Sequence, residues 1–140
     1  MIVLDTDHVS ELERRGSAKG VKLLQRLQLQ KDPIAVTIVS IEEQFRGRLA
    51  GISRIPAGPK QVHPYSRLAD LVEFYSGWSI LPFNQPVAQR FLDLKAAKIR
   101  IGTMDLKIAA IVLVHQATLL SANLRDFRQV PGLQVEDWLS

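Results

Sequence analysis

Ile2-Val3-Leu4-Asp5-Thr6-Asp7-His8-Val9-Ser10 opens with a short apolar run that stops abruptly on polar residues. An unbroken apolar run of this length reads as a strand buried on both faces, the kind found in parallel sheets. Asp5, Thr6 and Asp7 are residue types that cap helix N-termini, so a helix is expected from about Thr6 to Arg15, broken by Gly16-Ser17. The same strand-then-helix unit recurs outward from there. A second helix places Val21, Leu24 and Leu27 on one face, with Lys22, Gln25 and Arg26 elsewhere. Asp32-Pro33 turns the chain into the β-branched run Ile34 to Val39, after which Ser40 opens a helix towards Leu49. Gly51 to Pro64 holds three prolines and two glycines and reads as a loop, the most mobile segment. A helix over Tyr65 to Tyr75 and a strand over Trp78 to Leu81 follow, then a helix with Pro86 in its first turn that reaches about Lys98. Asp105 to Gln116 is a nearly all-apolar helix, Ala117 to Leu120 a fourth strand, and Gln134-Val135 a short edge strand.

Strands alternating with helices predict a three-layer α/β/α domain with a central, mostly parallel sheet of four to five strands. The 140 residues suffice for one domain over 1–140 with a sizeable core, and no repeat or linker divides them. A hydrophobic share of 46% describes a globular chain, not a disordered one. The absence of cysteine excludes disulfides, thiolate metal sites and a cysteine nucleophile, and it fits a reducing cytoplasm. The opening apolar run is short for a signal peptide, and the stretch Ile108 to Val114 is short for a membrane span. A net charge of +4 mildly favours a polyanionic partner.

In such sheets the ligand crevice lies beyond the carboxyl ends of the strands. Asp5 ends the first strand, Ser40 and Glu43 follow the second, and Asn123 and Asp126 follow the fourth. Two helices separate the third strand from the fourth. The later one must descend, which brings its N-terminus and Asp105 to the same rim. Each residue also has a purely structural reading. Asp5 can cap a helix, and Ser40 with Glu43 can form a capping box. Asp105 can favour a helix dipole, and Asn123 and Asp126 can make a turn. Gathered on one rim, however, the carboxylates repel one another and need either a cation or raised pKa values. Oxygen-only ligands suit Mg²⁺ or Mn²⁺, which can activate water against a phosphodiester.

Four segments, taken in order, carry a resemblance. The first is Val3 to Ser10, a strand ending in Asp-Thr-Asp. The second is Ser40-Ile41-Glu42-Glu43-Gln44-Phe45-Arg46-Gly47, with Ser three before a Glu and Gly four beyond it. The third is Ile101-Gly102-Thr103-Met104-Asp105-Leu106-Lys107-Ile108-Ala109-Ala110. The fourth is Leu120-Ser121-Ala122-Asn123-Leu124-Arg125-Asp126-Phe127, with Val130-Pro131-Gly132-Leu133 and Glu136-Asp137-Trp138 behind it. Together they resemble the PIN domains, and within them the VapC-like toxins, along the whole chain. The resemblance implies a PIN-like fold and a Mg²⁺- or Mn²⁺-dependent endoribonuclease, the toxin of a type II toxin–antitoxin pair. It implies Asp5, Glu43, Asp105 and Asn123 as catalytic residues, the three carboxylates also holding the metal. Ser40, Arg125 and Arg128 would lie on the RNA side. A VapB-like antitoxin, a homodimer and a cytoplasmic location come with the family.

The second motif departs from the family by carrying Glu42 and Gln44 where apolar residues usually flank the Glu. Ile41, Phe45, Leu49 and Ile52 define the buried helix face, with Glu42 flanking it and Glu43 nearly opposite. Glu42 therefore remains an alternative to Glu43. Asn123 stands where a Thr-x-Asn or Thr-x-Asp motif would end, with Asp126 as the other candidate. An amide binds metal weakly, which suits Asn123 to a supporting or water-holding role. The rival enzyme is a haloacid-dehalogenase-like phosphatase with Asp5 as nucleophile and Asp7 as general acid. It lacks the late acidic pair, since only Asp105 follows Met104. A PIN domain that binds RNA or protein without cutting is the non-enzymatic rival. His8, His63 and His115 show no metal spacing. Arg46 and Arg48 read as a solvated helix face, and Trp78 and Trp138 as packing residues.

Overall fold

The computed structural model describes residues Met1–Ser140. Its elements run β1 (Ile2–Leu4), α1 (Thr6–Glu13), α2 (Ala18–Gln28), β2 (Ile34–Thr37), α3 (Ile38–Ser53), a 3-10 turn (Pro59–Gln61) and α4 (Val62–Tyr75). They continue β3 (Ser79–Leu81), α5 (Gln85–Ala96), α6 (Thr103–Val114), β4 (Thr118–Leu120), α7 (Leu124–Phe127) and β5 (Gln134–Glu136). The sheet has five strands in the order β3-β2-β1-β4-β5, and every neighbouring pair is parallel. The opening apolar run is thus the central strand, with Leu4 in register with Val36 on one side and Leu120 on the other.

Alternation along β1 divides the core. Val3 faces one layer, where Ala35 and Leu119 meet Val87 and Leu94 of α5 and the buried run Ile108–Val112 of α6. Ile2 and Leu4 face the other, against Val9 of α1, Leu23 and Leu27 of α2, Ile41 of α3, and Leu71 and Tyr75 of α4. Helix α6 is apolar on all sides because it is wedged between the sheet and α5. No helix is long and apolar enough to cross a membrane.

Three local expectations are corrected. Helix α3 begins at Ile38, two residues ahead of Ser40, so the β-branched run is split between strand and helix. Thr37 is the N-cap, its hydroxyl accepting the Ser40 N–H at 3.0 Å. Hence no capping box joins Ser40 to Glu43, and tertiary packing of Val39 and Ile41 overrides β-propensity. In α2 the inward face is Leu23 and Leu27, while Val21 and Leu24 are exposed, because Gly20 brings that face against α1. The stretch 51–64 is no long loop. Helix α3 runs on to Ser53, and α4 starts at Val62 with Pro64 in its first turn, where an imino nitrogen costs no hydrogen bond.

Gly20 sets how closely α2 approaches α1, the helix that carries Asp7. A Cβ there would lie 2.2 Å from the Glu11 carbonyl oxygen. Helix propensity alone favours alanine by roughly 1 kcal/mol, but two backbones cannot yield as side chains do. Gly20→Ala is expected to destabilise the fold by about 1–3 kcal/mol in urea unfolding. Gly47→Ala, in the same chemical exchange on α3 with open space around it, should instead be neutral or stabilising. Equal effects at both sites would show that the α1–α2 approach is not tight.

Candidate active site

The carboxyl ends of the parallel strands meet at one rim. The β1–β4 ladder continues past its last pair through the Asp5 N–H, which donates to the Leu120 carbonyl at 2.9 Å. This extension sets Asp5 beside Ser121. The buried Asp5 carboxylate accepts the Thr6 N–H at 2.7 Å on Oδ1 and the Ser121 hydroxyl at 2.7 Å on Oδ2. Asp5 is therefore a helix cap and a rim carboxylate at once.

Asp105 sits in the first turn of α6, and the descent of that helix brings it to Asn123. The Asn123 side-chain amide donates to Asp105 Oδ2 and to Asp126 Oδ2, each at 3.1 Å. The Asn123 backbone N–H donates to Ser121 Oγ at 3.0 Å, so the segment after β4 holds both Asp5 and Asp105. On α3, Gln44 is clasped between α1 and α4: its amide donates to Ser10 Oγ at 2.9 Å and its oxygen accepts the Tyr75 hydroxyl. With Ile41 in the core and Gln44 clasped, the helix rotation turns Glu43 inward, where it feels the charges of Asp5 and Asp105. Glu42 points outward and pairs with Arg46. The carboxylate of the rim is therefore Glu43, not Glu42.

Electrostatics mark the cluster. Burial, the neighbouring Asp7 charge and then Asp105 push Asp5 up to about 6 against its hydrogen bonds. Burial, then Asp5 and Asp105, push Glu43 up to about 7. Burial and Asp126 also raise Asp105, opposed by Asn123. Glu43 Oε1 is buried with no hydrogen-bond partner. No three His, Asp or Glu side chains close into a ready-made cage. The donor set nevertheless fits a hard cation that keeps much of its water shell: oxygen donors only, mutually repelling, with one oriented and unpartnered.

Asp7 behaves oppositely. Burial pushes its carboxyl up, but hydrogen bonds from His8 and from the Ala122 N–H outweigh burial and hold it below the ordinary range. Ionised and with both oxygens occupied, it has no proton to give as the general acid that a phosphatase of the haloacid-dehalogenase type needs. Ser40, expected on the RNA side, is wholly buried against Thr37 and presents nothing to a ligand. Arg125 and Arg128 flank Asp126 on α7 and its cap, exposed and in no ion pair with an acid. Arg46 is exposed and pairs with Glu42, as expected of a solvated helix face, whereas Arg48 is half-buried, pairing with Glu13 at 3.1 Å, so the solvated reading is corrected there. Asp126, reached through Asn123, is part of the cluster's outer edge. The residues underweighted by sequence reasoning are Asp7, His8 and Ser121. Their signal was the β1–β4 register, which puts position 121 beside position 5.

Five parallel strands between helical layers, ending on a rim of carboxylates with raised pKa values, define the class of the domain. The PIN domain family model matches residues 2–133, and the chain belongs to that family. It is 30% identical to Ribonuclease VapC1 of Rickettsia felis over 138 residues, which is 96% of this chain and 93% of that protein. It is 26% identical to Ribonuclease VapC2 of Haemophilus influenzae over 141 residues, 98% of this chain and 97% of that one. Among solved structures it resembles DNA-bound VapBC from Salmonella typhimurium, with a TM-score of 0.77 at 21% identity over 98% of this chain and 97% of the other.

Raised carboxyls make the metal-free fold pH-sensitive in a defined direction. From the ordinary carboxyl range up to about pH 7, folded Asp5 and Glu43 hold protons that the unfolded chain has lost. Stability is therefore greatest on the acid side of that window and falls as pH rises through it. Asp7 acts with the opposite sign, but only below the ordinary carboxylate range. In chelator, the thermal midpoint should be lower at pH 8 than at pH 5.5. Glu43→Gln should raise the pH 8 midpoint by a few degrees and flatten the slope, and Glu42→Gln should do much less. A larger effect from Glu42→Gln would reverse their assignment.

Proposed function

We propose that this chain is a Mg²⁺- or Mn²⁺-dependent endoribonuclease, the toxin of a type II toxin–antitoxin pair. The observation that carries the reading is the buried, unpartnered Glu43 carboxylate oxygen, on a group raised by the charges of Asp5 and Asp105, themselves raised. The names of the relatives, Ribonuclease VapC1 and VapC2, agree with it. Asp5, Glu43 and Asp105 would hold the ion. When bound, a divalent ion supplies Lewis acidity to the phosphate and lowers the pKa of a water.

The remaining work falls to the chain's own residues. Ser121 and Thr6 fix the Asp5 carboxylate by hydrogen bonds to its two oxygens. Asn123 orients Asp105 and keeps Asp126 from approaching it unscreened. Arg125 and Arg128, exposed beside Asp126, bind backbone phosphates, which positions the RNA without breaking it. An antitoxin of the VapB kind masks the rim, and the chain works in the cytoplasm. A homodimer would cover the exposed Leu49, which lines a shallow groove along α3 with Glu42, Phe45, Arg46, Ala50 and Ser53.

Purified protein is expected to cleave RNA with Mg²⁺ or Mn²⁺ and to stop in chelator. Asp105→Asn should lower single-turnover cleavage by roughly a hundredfold or more while RNA affinity is kept or rises, since a negative charge beside a polyanion is gone. Arg125→Ala and Arg128→Ala should each weaken binding and reduce the slope of log affinity against log salt by about one. Undiminished cleavage in excess chelator sinks the metal mechanism. An unchanged salt slope in both arginine variants moves the RNA path elsewhere.

A further inference from the structure

The histidine ring buried beneath the rim is not required by packing. His8 has no exposed surface, and both of its ring nitrogens are engaged in opposite senses. The Trp138 backbone N–H points at Nε2 at 3.1 Å, closer than the Asp137 carboxylate at 3.6 Å, which makes that nitrogen the acceptor. The proton of a neutral ring is then on Nδ1, which lies 2.6 Å from Asp7 Oδ1 and donates to it. The other Asp7 oxygen accepts the Ala122 N–H at 2.9 Å, which anchors the segment after β4. Within that segment Ser121 donates to Asp5, and Asn123 donates to Asp105. Trp138 is itself held in place, with the Arg26 guanidinium of α2 stacked 3.9 Å over its ring.

We propose that His8 is a positioning residue for the metal centre: through Asp7 it fixes the Ser121–Asn123 segment that aims Asp5 and Asp105, and the Trp138 N–H locks the tautomer this requires. The inference rests on the metal-dependent reading above. A relay of this kind resembles the hydrogen-bonded partners that orient metal-binding carboxylates generally, whose loss weakens metal binding about 10–100-fold. The ring places a donor on one side and an acceptor on the other, which joins a carboxylate to a backbone N–H.

Two conservative variants separate the two nitrogens. In His8→Asn the side-chain amide occupies the Nδ1 position and can still donate to Asp7. In His8→Gln the amide reaches the Nε2 position and leaves Asp7 without its donor. Calorimetric titration of the full chain with Mg²⁺ should give near wild-type affinity for His8→Asn and a loss of about tenfold or more for His8→Gln. Thermal midpoints, measured alongside, report the packing cost of each variant separately from its Mg²⁺ affinity. Nitrogen NMR of the wild-type ring should show the Nδ1–H tautomer at neutral pH, a reading that needs no variant to fold. Equal Mg²⁺ affinity in wild type and both variants overturns the positioning role, as does an Nε2–H tautomer. A wild type that binds Mg²⁺ and fails to cut RNA overturns the nuclease reading alone. A wild type that binds no Mg²⁺ overturns both.

Discussion

The pairing of β1 with β4 places Leu4 beside Leu120 and, one residue on, Asp5 beside Ser121. Everything at the rim follows from that register. A slip by one residue would send Leu4 to the face of Val3 and carry Asp5 away from its serine donor. The register is marked by the end of the apolar run: Val3 and Leu4, both at zero exposure, belong between the layers, and a slip would draw the Asp5 carboxylate in after them. A strand that contributes only Ile2, Val3 and Leu4 thereby sets the geometry of carboxylates drawn from three distant parts of the chain.

The cluster is held against its own electrostatics. Asp5, Glu43 and Asp105 are each partly desolvated and each raised by a neighbouring carboxylate, Asp5 by Asp7 and Asp105, Glu43 by Asp5 and Asp105, and Asp105 by Asp126 and Asp7. Such a site gains nothing for the fold in isolation, and the two core layers on either side of the sheet offset it. Donors are distributed unevenly. Asp5 and Asp7 have partners on both oxygens, Asp105 has one amide, and the inner oxygen of Glu43 has none. The rigid side of the rim is therefore the β1–β4 side, and the side left open for a further ligand is that of α3.

Much of this was legible in the sequence. The strand–helix alternation gave the layer order, and the crevice rule placed Asp5, Glu43, Asp105 and Asn123 on one rim, where the structure also puts them. What stayed hidden depended on long-range packing. The start of α3 at Ile38 could not be read from propensity, because Ile38 and Val39 favour a strand and only the Thr37 cap and the burial of Val39 and Ile41 decide otherwise. Glu42 and Glu43 could not be separated by hydrophobic periodicity, since Leu49, which helped define the apolar face, is exposed. The helix rotation is set instead by Gln44 reaching Ser10 and Tyr75, contacts 34 and 31 residues apart. Ser40 was legible as a motif position but not as a buried one.

The hydrogen bond from Ser121 to Asp5 closes a span of 116 residues. Contacts of that separation form late, because the chain between them must be ordered first. Helices α1 to α6 can each begin to form while β1 is paired only with β2, and in such a state Asp5 lacks its serine, Asp7 lacks the Ala122 N–H and Asp105 lacks Asn123. The carboxylates are then scattered, solvated and harmless to a nucleic acid. Assembly of the rim and completion of the sheet are one event, so a half-folded copy of this protein carries no half-built site.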